Sequence, residues 1–263
     1  MGAYLYLAKM KLMAFLTYRF EVITSLGTNL IILMASVFLW KTAYSGTDAI
    51  SGVTESQMLT YTIISVLLSS FFSSNIEHSL QERIAQGNIA LDFLKPINLI
   101  FAYLSEDIGI SMSSVVSKLI PVLIISALFV QVPLPGSWLS FLVFLISSML
   151  SYLILWLISA LIAVLCFWTV QLGELKTVKD GIILLISGKI IPIRMFPKWM
   201  QKVLSFMPFQ YVYQTPLSIY INRITRQEIA FSLFIQAIWV LFLSLALIML
   251  WNKARKHVFI QGG

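Results

Sequence analysis

Long apolar segments separated by short polar connections limit the folds open to this chain more than any other feature. Five of them cover residues 21–40, 57–74, 105–130, 138–168 and 229–251. A helix needs roughly 20 mostly apolar residues to cross the hydrocarbon core of a bilayer, and each segment is close to that length or longer. Hydrophobic residues make up 59% of the 263 positions and charged residues 11%, too apolar a composition for a water-soluble fold. The sequence therefore predicts an all-α integral membrane protein.

A further crossing, the fifth in chain order, is predicted over residues 178–196, where about 19 residues are barely enough to span a bilayer. Helix-breaking residues interrupt this segment and the next one, at Gly188, Pro192, Pro197, Pro208 and Pro216. Broken helices at membrane depth are tolerated only where protein buries them or they line a cavity. We expect one transmembrane domain over residues 1–263, with six transmembrane helices and an irregular outer segment at 194–226.

The N-terminal stretch, residues 1–19, is expected to form an amphipathic helix on the inner membrane surface. Its apolar residues recur at helical spacing, at Leu5, Ala8, Leu12, Phe15 and Leu16, with Lys9 and Lys11 on other faces. The alternative is a frayed cytoplasmic extension. The apolar stretch that follows is too long for a cleavable signal peptide, so we expect it to remain as the first span.

The distribution of basic residues predicts that both termini are cytoplasmic, because such residues concentrate in cytoplasmic segments. With six spans, the segments on the side of the termini contain Lys9, Lys11, Arg19, Arg83, Lys95, Lys176, Lys179, Lys253, Arg255 and Lys256. The first two segments on the other side contain none, apart from Lys41 at a rim. The third departs from the rule, with Arg194, Lys198, Lys202, Arg223 and Arg226. Either these charges meet outer headgroups from re-entrant helices, or the number of spans differs here.

The sequence contains no recognisable catalytic motif. Gly188-Lys189 lacks the rest of a phosphate-binding loop, since Ile190 follows where Ser or Thr is required. His78 and His257 are too few for a histidine-based metal site, and no serine-nucleophile elbow occurs. The net charge of +7 suits anionic headgroups and comes without the basic, aromatic-interleaved stripe of nucleic-acid binders. We expect no cofactor in this chain and no nucleic-acid partner, so energy for transport would come from a partner or an ion gradient.

Use of an ion gradient would require ionisable residues inside spans. The candidates are Glu106, Asp107, Lys118 and Lys189. The two acids also fit a solvated helix start near the inner interface, and the lysines fit side chains that snorkel to the headgroups. An ion-coupled secondary transporter or channel is therefore one alternative, and a non-transport protein, such as an assembly factor or lipid-modifying enzyme, is another.

The second span carries a stripe of small polar residues. Ser65, Ser69 and Ser73 recur on one helix face, a pattern that lets a neighbouring helix approach closely. We expect a packing seam there, and a substrate path is the alternative.

The most polar internal segment, residues 75–100, is a candidate docking loop for a soluble motor. It starts with a predicted helix whose polar face comprises Glu77, Gln81, Glu82, Arg83 and Gln86, opposite Ile76, Leu80 and Ile84. Gly87 can end this helix. Such a helix, lying parallel to the membrane, can transmit motion from a partner, but an ordinary solvated connector has the same pattern.

Residues 87–96 resemble the Gly…Leu-Leu-(Lys/Arg)-Pro element of bacterial type-2 ABC exporter permeases. The later run of Ser187-Gly188, Pro192, Phe196-Pro197-x-Trp199, Pro208-Phe209 and Pro216 resembles the segment between the fifth and sixth spans of the same family. With the six-span layout and the short amphipathic start, the resemblance extends over essentially the whole chain.

The resemblance implies a coupling loop that contacts an ATPase and an outer gate built from re-entrant helices. The ATPase-coupling residues would be Glu77, Gln81, Glu82, Arg83, Gln86, Gly87, Asp92, Lys95 and Pro96. The outer gate would include Pro192, Phe196, Pro197, Trp199, Pro208, Phe209 and Pro216.

The resemblance also implies a working assembly in the bacterial cytoplasmic membrane. It would contain two permease subunits, identical or sister chains, and two separately encoded ATPase subunits that bind ATP and Mg²⁺. This chain would be the permease subunit of an ATP-driven exporter, without enzymatic activity of its own. Family members export drugs, lipids, polysaccharides and peptides, so the substrate stays open.

Overall fold

The computed structural model describes residues 2–17, 19–129, 137–169 and 171–257, and these are mostly helical. The α-helices are α1 Gly2–Thr17, α2 Arg19–Ala43, α3 Glu55–Phe71, α4 Ile76–Ala85, α5 Ile89–Phe93, α6 Leu99–Ser114, α7 Ile120–Phe129, α8 Trp138–Val164, α9 Cys166–Thr169, α10 Leu175–Ile186, α11 Lys198–Ser205, α12 Gln214–Tyr220 and α13 Arg226–Ala254. A π-helix, Val115–Leu119, joins α6 to α7, and 3-10 helices occupy Ile193–Met195, Pro208–Tyr211 and Arg255–His257. The sequence also predicts a short uncharged loop with Pro133 and Pro135 between the third and fourth spans, and both prolines lie outside the described residues.

Five helical segments in the described part of the chain are long and apolar enough to cross a membrane, which confirms the all-α membrane class. They are Val22–Ala43, Glu55–Ala85, Leu99–Ser126, Trp138–Thr169 and Arg226–His257. The predicted fifth crossing, residues 178–196, is not among them, because α10 has only 12 residues and the helix breaks after Ile186.

A short hairpin marks one end of the bundle. Strands β1 Ala49–Ile50 and β2 Val53–Thr54 pair antiparallel, with Ile50 opposite Val53. Thr54 then caps α3 in a reciprocal capping box with Gln57. We call this the hairpin end, and we call the opposite end, which contains α4 and α5, the loop end.

The core lies around α3 and α8, which are mostly buried, whereas α2 and α13 are mostly exposed. Tyr61, Met58 and Ile63 of α3 and Trp156 of α8 are almost completely inaccessible. In a membrane the apolar side chains of α2 and α13 meet lipid or another subunit, so they need no cover from this chain.

Pro121 is accommodated in the third span without ending it. The ring removes a backbone donor from the helix, and the turn before it widens into the π-helix Val115–Leu119. There the Ile120 N–H donates to the Val115 carbonyl, five residues back. A proline in the middle of an apolar segment predicts an interruption of the span, and at Pro121 this interruption is a local change of helix type.

The N-terminal helix α1 packs along α6, and its packed face differs from the predicted one. Lys11, predicted to lie on another face, forms an ion pair of 3.2 Å with Glu106, while Leu5 is exposed. Backbones approach so closely that a Cβ on Gly109 would lie 2.2 Å from the Ala8 carbonyl oxygen. The side chains of Phe15 and Leu16 lie outside the described part of the chain.

Candidate coupling and transport site

The candidate coupling loop folds as two helices, α4 and α5, joined by a turn at Gly87. This glycine has a φ of 72°, which L side chains rarely adopt, just after α4 ends. The prediction that Gly87 ends the helix is confirmed. Of the residues implied in coupling, Glu82, Gln86, Lys95 and Pro96 are exposed, Gln81, Arg83 and Gly87 are half-buried, and Glu77 and Asp92 are buried.

The predicted solvent-facing position of Glu77 is wrong, because its side chain is 1% exposed. One carboxylate oxygen lies 2.5 Å from Nζ of Lys179, which also donates to Oγ of Ser159 at 2.9 Å. The Asp180 carboxylate lies 3.0 Å from the same ammonium. A buried ion pair therefore joins α4 to the start of α10.

Asp92 also turns inward and holds the loop together. Nη1 of Arg83 donates to both of its carboxylate oxygens, at 3.0 and 2.7 Å, and Nζ of Lys95 donates to one at 2.6 Å. Three residues implied in ATPase contact thus bind one another. These bonds set the position of α5 relative to α4.

The most exposed apolar residues of the loop lie on and just after α5. Leu91 is 62% exposed and Leu94 is 80% exposed. Lys95 and Pro96 follow them and are exposed too. We call these four residues the loop tip; sequence reasoning had not included the two leucines.

Phe93, between the two leucines, points into the bundle. Its ring centroid lies 6.4 Å from that of Phe167 and 6.0 Å from that of Trp251, and those two rings meet edge to face at 5.6 Å. This aromatic cluster joins α5 to α9 and to the end of α13.

A second buried carboxylate, Asp107, fixes the junction between α3 and α4. It accepts hydrogen bonds from Oγ of Ser74 at 3.0 Å, from the backbone N–H of Asn75 at 2.9 Å and from Nε1 of Trp156 at 2.9 Å. The interpretation of Asp107 as part of a solvated helix start is therefore wrong. Only its acidic nature within an apolar segment pointed to a role.

The break after α10 is held by the polar stripe of α3. The hydroxyl of Tyr61 donates to the Gly188 carbonyl, and Oγ of Ser65 donates to the Lys189 carbonyl at 2.6 Å. Ser69 accepts from the hydroxyl of Tyr213 at 3.2 Å. Buried backbone carbonyls need such donors, so the serine stripe is more than a seam of small residues.

Gln214 closes the break from the other side. Its backbone N–H donates to the Ser187 carbonyl at 3.0 Å, and its Oε1 accepts from the N–H of Ile193 at 2.8 Å. Gly188 has a φ of 83°, and a Cβ there would lie 2.7 Å from Oε1 of Gln214. A glycine is therefore required where α3, α10 and α12 meet.

The residues implied in an outer gate mark the boundaries of short helices. Each proline precedes a helix or lies in its first turn: Pro192, Pro197, Pro208 and Pro216. Among the aromatic residues, Trp199 is 68% exposed, whereas Phe196 and Phe209 are half-buried. The prediction that Pro197, Pro208 and Pro216 interrupt the helix in this segment is confirmed.

Gln236, a buried polar residue in α13, joins this segment to the long helices. Its Nε2 donates to the Tyr211 carbonyl at 2.9 Å and to Oγ of Ser151 at 3.0 Å, and its Oε1 accepts from Oγ of Ser147 at 3.0 Å. Ser151 donates to the same Tyr211 carbonyl at 2.8 Å. A glutamine inside an apolar span was a signal that the sequence analysis missed.

Arg223 ties the chain to the hairpin end. Its guanidinium donates to the Gly52 carbonyl and, from Nε, to Oε1 of Gln57 at 2.9 Å. The Arg223 carbonyl accepts from Nη2 of Arg194 at 2.8 Å. Two basic residues that departed from the predicted charge pattern thus bind hairpin-end backbone and side-chain acceptors.

A cavity of about 900 Å³ lies among α3, α8 and α10. Glu77, His78 and Lys176 line it at the loop end, and Lys189 and Tyr213 line it towards the middle of the bundle. The ammonium of Lys189 lies 5.5 Å from the centroid of the Tyr213 ring.

Comparison with known proteins gives one match. The model of a family described as "ABC-2 family transporter protein" matches residues 30–262. Comparisons with curated proteins and with solved structures gave no match.

Proposed function

This chain belongs to the ABC-2 family of transporter proteins, and from that premise we propose that it is the permease subunit of an ATP-driven exporter. A separate cytoplasmic ATPase, with its own ATP and Mg²⁺, would supply the energy. The observation that carries the proposal is the loop tip: apolar, exposed residues stand on a loop whose other side chains fasten it to several spans.

The loop tip has the chemistry of a protein-docking surface. Leu91 and Leu94 expose apolar area beside the basic Lys95. Apolar residues that are exposed together on a water-facing loop are typical of interaction sites. We assign the direct ATPase contact to these residues and to the exposed Glu82 and Gln86, and an internal role to Glu77, Arg83 and Asp92.

Movement of the docked loop would reach most of the bundle. The ion pair between Glu77 and Lys179 joins it to α10, and the Phe93 cluster joins it to α9 and α13. Asp107 joins its start to α6 and α8. Packed elements with fixed contacts of this kind move together, so ATP binding in the partner would switch the permease between inward-open and outward-open forms.

Residues 179–194 are proposed as the fifth of six crossings. Lys179 is bound at the loop end by Glu77, and Arg194 is bound at the hairpin end by Arg223. Lys179–Ile186, the part of α10 inside this crossing, rises about 12 Å, so residues 187–194 would supply the rest of the roughly 30 Å of a bilayer core. The short helices from Ile193 to Tyr220 would then be re-entrant helices at the outer side.

The bonding of this segment supports re-entrance. The carbonyls of Gly188, Lys189 and Tyr211 are all satisfied by side chains of neighbouring spans, as irregular backbone at membrane depth requires. On the exposed side, Trp199 of α11 and Phe206 just after it suit the outer membrane interface.

This topology puts the loop end and both termini in the cytoplasm of a bacterial cell. The apolar faces of α2 and α13 leave room for lipid and for a second permease subunit, identical or a sister chain. An ion-coupled mechanism has less support, because Glu106 and Asp107 are engaged by Lys11 and by structural donors.

Co-purification from native membranes in mild detergent tests the proposal. The variant Leu91→Ser/Leu94→Ser removes the apolar loop tip and keeps the Asp92 cluster intact. Lys198→Ala/Lys202→Ala is the matched control, because both lysines lie on α11 at the other end. We expect a nucleotide-binding subunit with wild type and control, and its loss with the leucine variant. Recovery of no ATPase with wild type in several detergents would refute the proposal.

A further inference from the structure

We propose that the cavity among α3, α8 and α10 binds an anionic amphiphile, whose acidic group meets Lys189. The inference deepens the proposed function, on which it rests, by naming the substrate class of the permease. It is argued from the charges, the walls and the size of the cavity.

Two lysines that line the cavity, Lys176 and Lys189, form no ion pair with a carboxylate in the described part of the chain; Lys176 is exposed and Lys189 is half-buried. Lys179, at the loop end of the cavity, is neutralised by Glu77 and lies beside Asp180. For Lys189 the described part of the chain offers no carboxylate oxygen within 4.0 Å, only the Tyr213 ring at 5.5 Å. Water screens a half-buried ammonium less than an exposed one, so Lys189 gains more from a bound anion than Lys176 does.

The position of Lys189 is fixed by its backbone. Ser65 binds its carbonyl, and the neighbouring Gly188 carbonyl is bound by Tyr61. The side chain therefore starts from a rigid point in the middle of the bundle. A site whose charged group is positioned before the ligand arrives loses less entropy on binding.

The walls of the cavity contain both polar and apolar side chains. They present the hydroxyls of Ser69, Ser73 and Ser159 together with the apolar side chains of Phe72, Leu155 and Ile183. A ligand with an acidic head and an apolar body can contact both kinds of side chain. A volume of about 900 Å³ is far more than a free phosphate needs and lies in the range of pockets for drug-sized ligands.

The loop end of the cavity also suits an anionic amphiphile. Its loop end is lined by Lys176 and His78 beside the Glu77–Lys179 pair and Asp180, so basic side chains are available there to an entering anion. In the proposed topology this end faces the cytoplasm, where an exporter collects its substrate.

Thermal unfolding of the purified permease in neutral detergent tests the inference without the ATPase. The single cysteine, Cys166, is buried, so a thiol-reactive dye reports its exposure on unfolding. The probes are dihexanoyl phosphatidic acid, dihexanoyl phosphatidylcholine with the same chains, and inorganic phosphate. We expect phosphatidic acid to raise the Tm, and phosphatidylcholine and phosphate to have little effect.

Three variants separate the site from a general charge effect. Lys189→Met should lower the apparent affinity for phosphatidic acid at least tenfold, and Lys189→Arg should keep most of it. Lys198→Met removes the same charge from exposed α11 and should behave as wild type. If Lys189→Met does not fold, the comparison of the two lipids on wild type and on Lys189→Arg still shows whether the acidic head group is required for binding.

Equal shifts by the two lipids, or an equal phosphatidic-acid shift in wild type and Lys189→Met, would overturn the inference. An equal shift of the Tm by inorganic phosphate would show that the ligand needs no apolar body and would overturn the assignment to an amphiphile. Because Lys189 is remote from the loop tip, ATPase recovery should be unchanged in Lys189→Met. Normal recovery without lipid discrimination refutes this inference alone, whereas no recovery with wild type refutes the proposed function.

Discussion

A carboxylate oxygen of Glu77 lies 2.5 Å from the ammonium of Lys179, so the loop and α10 are joined by a charge pair beneath the protein surface. Removal of one partner from a buried pair leaves the other charge unpaired, which costs about 3–5 kcal/mol, whereas replacement of both is much less harmful. We expect Glu77→Gln and Lys179→Met each to lower the Tm clearly, and the double variant to recover much of the loss. Thermal unfolding followed by Cys166 labelling checks this. Additive losses in the double variant would contradict it.

Gly109→Ala should loosen α1 from α6. The new Cβ would lie 2.2 Å from the Ala8 carbonyl oxygen, and backbone cannot move aside without shifting the helix. We expect a destabilisation of about 1–3 kcal/mol and faster proteolysis of α1. Gly27→Ala is the control, because nothing lies within 4 Å of a Cβ there. Equal behaviour of the two variants would show that the close approach is absent.

Phe93→Ala should separate ATPase binding from transport. The loop tip would remain, but the ring that joins α5 to Phe167 and Trp251 would be lost. Coupling changes of about 0.5–2 kcal/mol correspond to roughly 2- to 30-fold, so we expect transport per ATP to fall within that range. The measurement is export and ATP hydrolysis in proteoliposomes, with the exposed Phe234→Ala as control. A variant that loses the ATPase altogether would place Phe93 in docking instead.

Tyr61→Phe should open the break after α10. Without the hydroxyl, the Gly188 carbonyl loses its α3 donor, at a cost of about 1–3 kcal/mol. We expect faster hydrogen exchange in residues 187–193, measured by mass spectrometry. Thr28→Val removes a hydroxyl whose bond stays within exposed α2 and should leave this exchange unchanged.

The sequence was sufficient to predict five spans, the end of α4 before Gly87 and the breaks at the prolines. Each of these features depends on local composition or on the backbone preference of one residue. The inward position of Glu77 did not follow, since its partner lies 102 residues away. One signal was present: Glu77, Leu80 and Ile84 share the i, i+3, i+7 spacing of one helix face. The roles of Asp107 and Gln236 depend on contacts between distant helices, which no single segment reveals.

The bonds of Tyr61, Ser65 and Gln214 at the break have a consequence for how shape changes can occur. They make α3, the end of α10 and α12 a single block, since neither α3 nor α12 can move away from the end of α10 without leaving a carbonyl there unpaired. Alternating access in this subunit should therefore be a rotation of that block as a rigid body against its neighbours. The hydrogen bonds donated by the hydroxyls of α3 would stay intact during the motion.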